Sequence, residues 1–265
     1  GFRIFYAPGC EAAAHKAERK MQEQYGLILK TTGLQPVMWG VVIVPEKDDH
    51  TAYVVPPQQG GFPVWCYSRG EVSDGTLDRM NCHEWTESRL DGRLQLTHAD
   101  GRNRFITDGL AEYLAFLCAG PNRRYLATLL RAEEQGHSSL NLLKRFRAQR
   151  GWVDSTQVQS AERWLMKSLA DWAYGAGYPL SFVFWYRLCE ADGTHIPRQF
   201  LGRLKEQAKR DTPACIAVLE EVTGRQRLMR ELEYADVSEA IGLIQSLVIS
   251  SESVEAIPAG RGGTP

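Results

Sequence analysis

The chain has 265 residues, 43% of them hydrophobic and 24% charged, with a formal net charge of −1. That length allows one large domain or two closely packed ones, with enough core to fold without covalent staples. A charge so near zero excludes a global field that recruits nucleic acid or an anionic membrane, and no apolar run approaches the roughly 20 residues of a membrane span.

Local basic clusters, Arg123-Arg124 and Lys144-Arg145-Phe146-Arg147, read as solvated helix faces and not as a nucleic-acid surface. Six cysteines occur without a C-x-x-C pair. Cys118 and Cys189 sit in apolar runs and read as small core residues, whereas Cys66 and Cys82 are the better candidates for a disulfide. The chain starts at Gly1 and not at methionine, which predicts a processed or trimmed product. Removal of an export signal, with a secreted or periplasmic product, is then one reading of its location, and the cytoplasm is the other.

In chain order, Arg3 to Pro8 predicts a short strand, and Glu11 to about Lys30 a helix with Ala14, Ala17, Met21, Tyr25 and Ile28 on one face and Gly33 just past its end. Val37 to Val44 reads as a buried strand and Ala52 to Val55 as a shorter one. Val64-Trp65-Cys66-Tyr67 is a further strand, and Pro63 beside it predicts an edge position. After Asp74-Gly75 a helix is expected over Thr76 to Leu90, closed by Asp91-Gly92, and then a second one from near Asp108 to Gly120-Pro121. From Arg123 to about Ser250 the pattern is almost wholly helical, punctuated at Gly136, Gly151, Gly193 and Gly224. These elements predict an α+β fold: residues 1–120 as an α/β lobe with a small mixed sheet, 121–250 as an α-helical lobe, and 251–265 as a disordered tail.

Within the first of those two helices stands His83-Glu84-Trp85-Thr86-Glu87, and twenty intervening residues later comes Asp108. Side chains at i and i+4 of a helix share a face, so His83 and Glu87 can grip one ion while Glu84 handles a proton beside them. Asp108, at the start of the next helix, supplies a third ligand if the two helices pack antiparallel. It has a competing role as the N-cap of its own helix, and Glu112, one turn further, is the alternative third ligand. His98 in its loop and His195 in the helical half are further candidates, as a substitute ligand and an extra proton donor. His15, His50 and His137 read as surface or hydrogen-bonded histidines, and Trp65 and Trp85 as packing residues.

This layout resembles the active site of the gluzincin zinc metallopeptidases, which carry H-E-x-x-H and, at a similar distance, a glutamate ligand in a phrase like N-E-G-x-A-x-Y. Here the phrase is Thr107-Asp108-Gly109-Leu110-Ala111-Glu112-Tyr113. Tyr174-Gly175-Ala176-Gly177, 66 residues after Asp108, resembles the Y-x-x-G phrase whose tyrosine hydrogen-bonds the transition state in thermolysin-like aminopeptidase domains. The resemblance covers about Arg3 to Gly224. It implies a thermolysin-like N-terminal lobe followed by a helical lobe, and a metallopeptidase acting on a peptide or protein substrate. It further implies a bound ion held by His83, Glu87 and Asp108, its water deprotonated by Glu84, and Tyr174 stabilising the oxyanion. No counterpart of the aminopeptidases' G-x-M-E-N phrase precedes His83, which points to an endopeptidase-like enzyme whose substrate adds as a strand beside Val64, Trp65 and Cys66.

Two ligand positions depart from the family pattern, glutamate for the second histidine and aspartate for the third-ligand glutamate. The altered set carries one negative charge more than the usual one, which favours a slower zinc hydrolase or a harder ion such as Mn²⁺. A catalytically degenerate relative kept as a binding or scaffolding module is the rival reading.

Overall fold

The computed structural model describes residues 1–46, 52–54, 62–100, 103–119, 177–228 and 242–248. These form a mixed α/β fold, mostly helical, around one small sheet. Strand β1 (Phe2–Tyr6) leads into helix α1 (Glu11–Thr32), which returns the chain to strand β2 (Trp39–Val44) parallel to β1, with Phe2 opposite Trp39. A strand, a crossover helix and a parallel strand are the economical way to pair two strands pointing the same way. Helix α1 ends where Gly33 takes a left-handed conformation (φ 66°) and its N–H returns to the Leu29 carbonyl. Ala13, Ala14, Ala17, Met21 and Ile28 form its buried stripe, which packs against β1 and the later helices.

Strand β3 (Ala52–Val54) is antiparallel to β4 (Pro63–Ser68), and the sheet order is β1-β2-β4-β3. Strand β4 is therefore interior: β2 flanks it on one side, with Gly40 opposite Val64, and β3 flanks Pro63 to Trp65 on the other. The edge position expected from Pro63 is corrected. Proline at the first residue of a strand gives up no ladder bond that a central strand needs, so Pro63 marks where β4 begins and not which side is open.

Ser68 then closes a capping box on the short helix α2 (Arg69–Asp74): it accepts from the Glu71 N–H, and the Glu71 carboxylate accepts from the Ser68 N–H. Helix α3 (Thr76–Leu94) follows. It runs through Gly92 and stops only at Gln95, whose left-handed backbone (φ 51°) lets its N–H reach the Asp91 carbonyl. Burial of Leu90, Leu94 and Leu96 outweighs the weak helix propensity of one glycine. The Asp91 carboxylate, accepting from the Thr97 N–H and hydroxyl at 3.1 and 2.6 Å, anchors the short helix α4 (Leu96–Ala99).

Helix α5 (Arg104–Ala119) runs antiparallel to α3, as the pairs Arg79–Glu112 and Glu87–Arg104 show, and is buried from Phe105 to Phe116. Its other side packs on α6 (Gly177–Asp192). The approach is close because position 109 is glycine. A Cβ there would meet Ser181 Cβ at 2.7 Å and Trp185 Cδ1 at 2.9 Å. The Trp185 indole N–H donates to the Phe105 carbonyl at 3.0 Å across this contact. Helices α7 (Ile196–Glu206) and α8 (Thr212–Thr223) complete the packing, and a helical segment over 242–248 adds Ile244 to the core.

Every cysteine among the described residues is a free thiol. The expected Cys66–Cys82 bridge is absent, because the thiol of Cys82 on α3 faces α5, where Cys118 and not Cys66 is its neighbour. No described helix is long and apolar enough to cross a membrane.

Candidate metal centre

The site is built on the face of α3 that α5 covers. What sets the rotation of α3 lies on its opposite side, in a chain of neutral hydrogen bonds. The Trp39 indole donates to Asn81 Oδ1 at 2.7 Å, Asn81 Nδ2 donates to Gln24 Oε1 at 2.6 Å, and Gln24 Nε2 donates to the Asp78 carbonyl at 3.1 Å. One turn along, the buried Trp85 indole donates to the Val37 carbonyl at 2.8 Å. Trp85 stacks on Trp39, which stacks in turn on Trp65. These tryptophans are packing residues, and the wall they make turns Arg79, His83 and Glu87 toward α5.

On that face His83 is 5% exposed and Asp108 is wholly buried. His83 Nε2 lies 3.7 Å from Glu87 Oε2 and 4.0 Å from Asp108 Oδ1. His83 Nδ1 lies 3.2 Å from Glu112 Oε1, which also accepts from Arg79 Nη2 at 3.0 Å. One ring nitrogen therefore faces the two carboxylates of the expected ligand set, and the other faces a carboxylate that orients the ring. Among the described residues, His83, Glu84 and Glu87 also each offer a ligand atom within 4.8 Å of one another.

Glu112 does not lie on the Nε2 side as an alternative ligand; it sits behind the imidazole. Asp108 is not the N-cap of its helix either. Helix α5 begins one turn earlier, at Arg104, so Asp108 lies in its second turn with its carboxylate turned inward. Arg104 Nε donates to Asp108 Oδ2 at 2.7 Å and Nη2 to Oδ1 at 3.3 Å, and Nη2 is 3.8 Å from Glu87 Oε1.

Packing carboxyls this densely separates their proton affinities. Burial pushes the Glu84 carboxyl up to about 7; His83 draws it down, while Glu87, Asp108 and Glu112 drive it further up. Burial and the Glu87 charge raise Asp108 to about 6, against the pull of Arg104 and His83. Burial works against the charge of Glu112 too, but Arg79 and His83 outweigh it and hold that carboxyl down at about 2. Glu87 is likewise held below the ordinary value despite burial, chiefly by its hydrogen bond with His83. For His83 burial disfavours the charged ring, yet the charge and hydrogen bond of Glu112 win and raise it well above the usual imidazole value.

The donor set fits a divalent cation. Tetrahedral ligands about 2.0–2.1 Å from a shared zinc lie about 3.3 Å apart, so small side-chain rotations would close the observed separations. A metal-binding imidazole usually gives its second nitrogen to a carboxylate or carbonyl, and Glu112 Oε1, 3.2 Å from Nδ1, is the carboxylate placed for that role.

The other expected residues fall elsewhere. Val64 is buried in β4 and Trp65 packs on Trp39. With β3 beside both, a substrate strand does not have that flank of β4 to add to. Cys66 pairs through the other flank with Val42 of β2. His15 is an exposed residue beside Glu18, and His195 lines a surface groove with Arg198 and Gln199, away from this cluster. Tyr174, His50, His137, the Gly136 and Gly151 punctuation, most of the 121–250 lobe and the 251–265 tail lie outside the described residues, as does the side chain of His98. No protein-family model, curated protein or solved structure matches the chain, so its own residues carry the functional reading.

Proposed function

We propose that this protein is a metal-dependent hydrolase of peptide bonds of the gluzincin kind, with a thermolysin-like arrangement of lobes. The observation that carries the reading is the two-sided environment of His83, with Glu87 and Asp108 on Nε2 and Glu112 on Nδ1. His83, Glu87 and Asp108 would hold the ion, Zn²⁺ or a harder ion such as Mn²⁺. When bound, such an ion supplies an acidified water and a Lewis-acid contact for the scissile carbonyl.

The rest is the work of the side chains. Glu84 adjoins the ligand atoms and has a carboxyl raised to about 7, which suits a group that takes a proton from water and returns it to the leaving amine near neutral pH. Glu112, backed by Arg79, fixes the ring plane of His83 and keeps Nε2 aimed at the carboxylates. Tyr174 keeps its proposed role as the hydrogen-bond donor to the oxyanion, on the resemblance of Tyr174-Gly175-Ala176-Gly177 alone.

The test is Glu84→Gln. Turnover of a peptide substrate should fall by about 10²–10⁴-fold while Zn²⁺ still binds by calorimetry. Hydrolysis at the parental rate would sink the mechanism.

A second reading has an observation of its own. Arg104 satisfies both oxygens of Asp108 without any ion, as a degenerate fold kept for binding would need. That version predicts substoichiometric metal by elemental analysis and a melting temperature indifferent to added Zn²⁺, whereas a working site is stabilised by mass action.

A further inference from the structure

We infer that Arg104 is a selectivity-determining residue of the centre: an internal cation that competes for the ligand oxygens and admits only ions able to displace it. The inference rests on the metal-dependent reading above. One guanidinium spans both carboxylates of the expected ligand set, donating to Asp108 at 2.7 and 3.3 Å and lying 3.8 Å from Glu87. Planar, two-point contact of this kind is the strong form of an arginine–carboxylate pair, and it is sheltered, since the Asp108 side chain is wholly buried and that of Arg104 only 18% exposed.

A divalent ion seated between His83 Nε2, Glu87 and Asp108 would share Asp108 Oδ1 with Arg104 Nη2. Two cations on one oxygen repel, more strongly in a buried site than in water. The guanidinium must therefore swing aside as an ion enters. Arg104 stands in the first turn of α5, and the 18% of its side chain that is exposed marks the direction in which it would leave. Displacement is a threshold that ions meet unequally. Those high in the divalent series that favour imidazole, Zn²⁺ among them, recover the loss through His83. Mg²⁺, which dehydrates reluctantly and takes oxygen ligands, does not. Arg104 thus offsets what the two carboxylates would otherwise do, which is to make a hard, oxygen-rich site open to abundant ions.

The experiment is calorimetric titration of the metal-stripped full chain at pH 8 with Zn²⁺ alone and with Mg²⁺ alone. Arg104→Met should bind Zn²⁺ about tenfold more tightly than the parent, within the range over which neighbours of metal ligands act, and should acquire Mg²⁺ binding that the parent lacks. Arg104→Lys, which keeps the charge but not the two-point contact, should fall between them, and it decides the matter if the methionine variant does not fold. Equal or weaker Zn²⁺ affinity in the variants, with the parent binding Zn²⁺, overturns the role of Arg104 alone. A parent that binds no Zn²⁺ overturns the metal-dependent reading and this inference together.

Discussion

The two buried polar stripes of α3 solve opposite problems. Toward α1 and β2 the helix presents Asn81 and Trp85, and the bonds from Trp39 to Asn81, Asn81 to Gln24, Gln24 to the Asp78 carbonyl and Trp85 to the Val37 carbonyl are all between neutral groups. Toward α5 it presents Arg79, His83 and Glu87, which meet Arg104, Asp108 and Glu112. There, with Glu84 counted, four carboxyls share two arginines and one imidazole, and two of them are raised: Glu84 to about 7 by burial and the neighbouring carboxylates, and Asp108 to about 6 by burial and the Glu87 charge. A satisfied neutral network rigidifies a fold, while an over-crowded ionic one holds groups away from their preferred protonation states. Residues only two positions apart in sequence, Asn81 and His83, thus belong to architecture and to candidate chemistry respectively.

The comparison breaks first at Asn81. Replacing it with leucine leaves the buried Trp39 indole N–H and Gln24 Oε1 without their partners, and two such groups at about 1–3 kcal/mol each predict a loss of about 4 kcal/mol. Urea denaturation measures this directly. A loss under about 1 kcal/mol would mean that the neutral stripe does not set the helix.

Glu112 tests the charged stripe, and pH separates its contribution from packing. Its carboxyl is held at about 2 in the folded protein, against about 4.3 in an unfolded chain. A depressed carboxyl lends stability that is whole above the unfolded value and fades as pH falls toward the folded one. Glu112→Gln should therefore lose about 3 kcal/mol at neutral pH, with the difference from the parent shrinking between about pH 4.3 and 2. A pH-independent deficit would assign Glu112 a purely steric role.

These residues were legible in sequence to different degrees, for identifiable reasons. His83, Glu84 and Glu87 stand out because helical spacing alone puts them together, and the same rule places α1 and its buried stripe. Arg104 was hidden by a boundary error of one turn. Asp108 looks like an N-cap, so the helix seemed to start there and Arg104 to fall in a loop. Yet Arg104, Asp108 and Glu112 form an i, i+4, i+8 ladder on α5, and that spacing was the available signal for Arg104. Asn103, the natural capping residue beside Arg104, is drawn off instead. Its amide donates to the Leu96 and Arg210 carbonyls and its oxygen accepts from the Thr212 hydroxyl, and the two contacts with Arg210 and Thr212 are made across a hundred residues of chain, where no local pattern reveals them. The interior place of β4 was hidden for the same kind of reason. Pro63 is compatible with an edge or with a strand start, and only the pairing with β3 decides.

The smallest expected effect is a gain. A carboxyl whose folded value lies above its unfolded one disfavours folding once it must ionise. The penalty is nil below the unfolded value near 4.3 and complete above the folded value, about 7 for Glu84. Glutamine mimics the protonated form, so in the metal-stripped protein Glu84→Gln should match the parent at pH 4 and exceed it at pH 8. The raised value would correspond to about 4 kcal/mol, and because Glu84 is partly exposed solvent screening brings the expectation to about 2 kcal/mol. Thermal melts at the two pH values measure it. Stabilisation at pH 8 together with lost turnover would identify Glu84 as a group kept at the expense of the fold, the usual sign that a residue is retained for function. Destabilisation at pH 8 would instead make its carboxylate part of the architecture and return it to the company of Asn81.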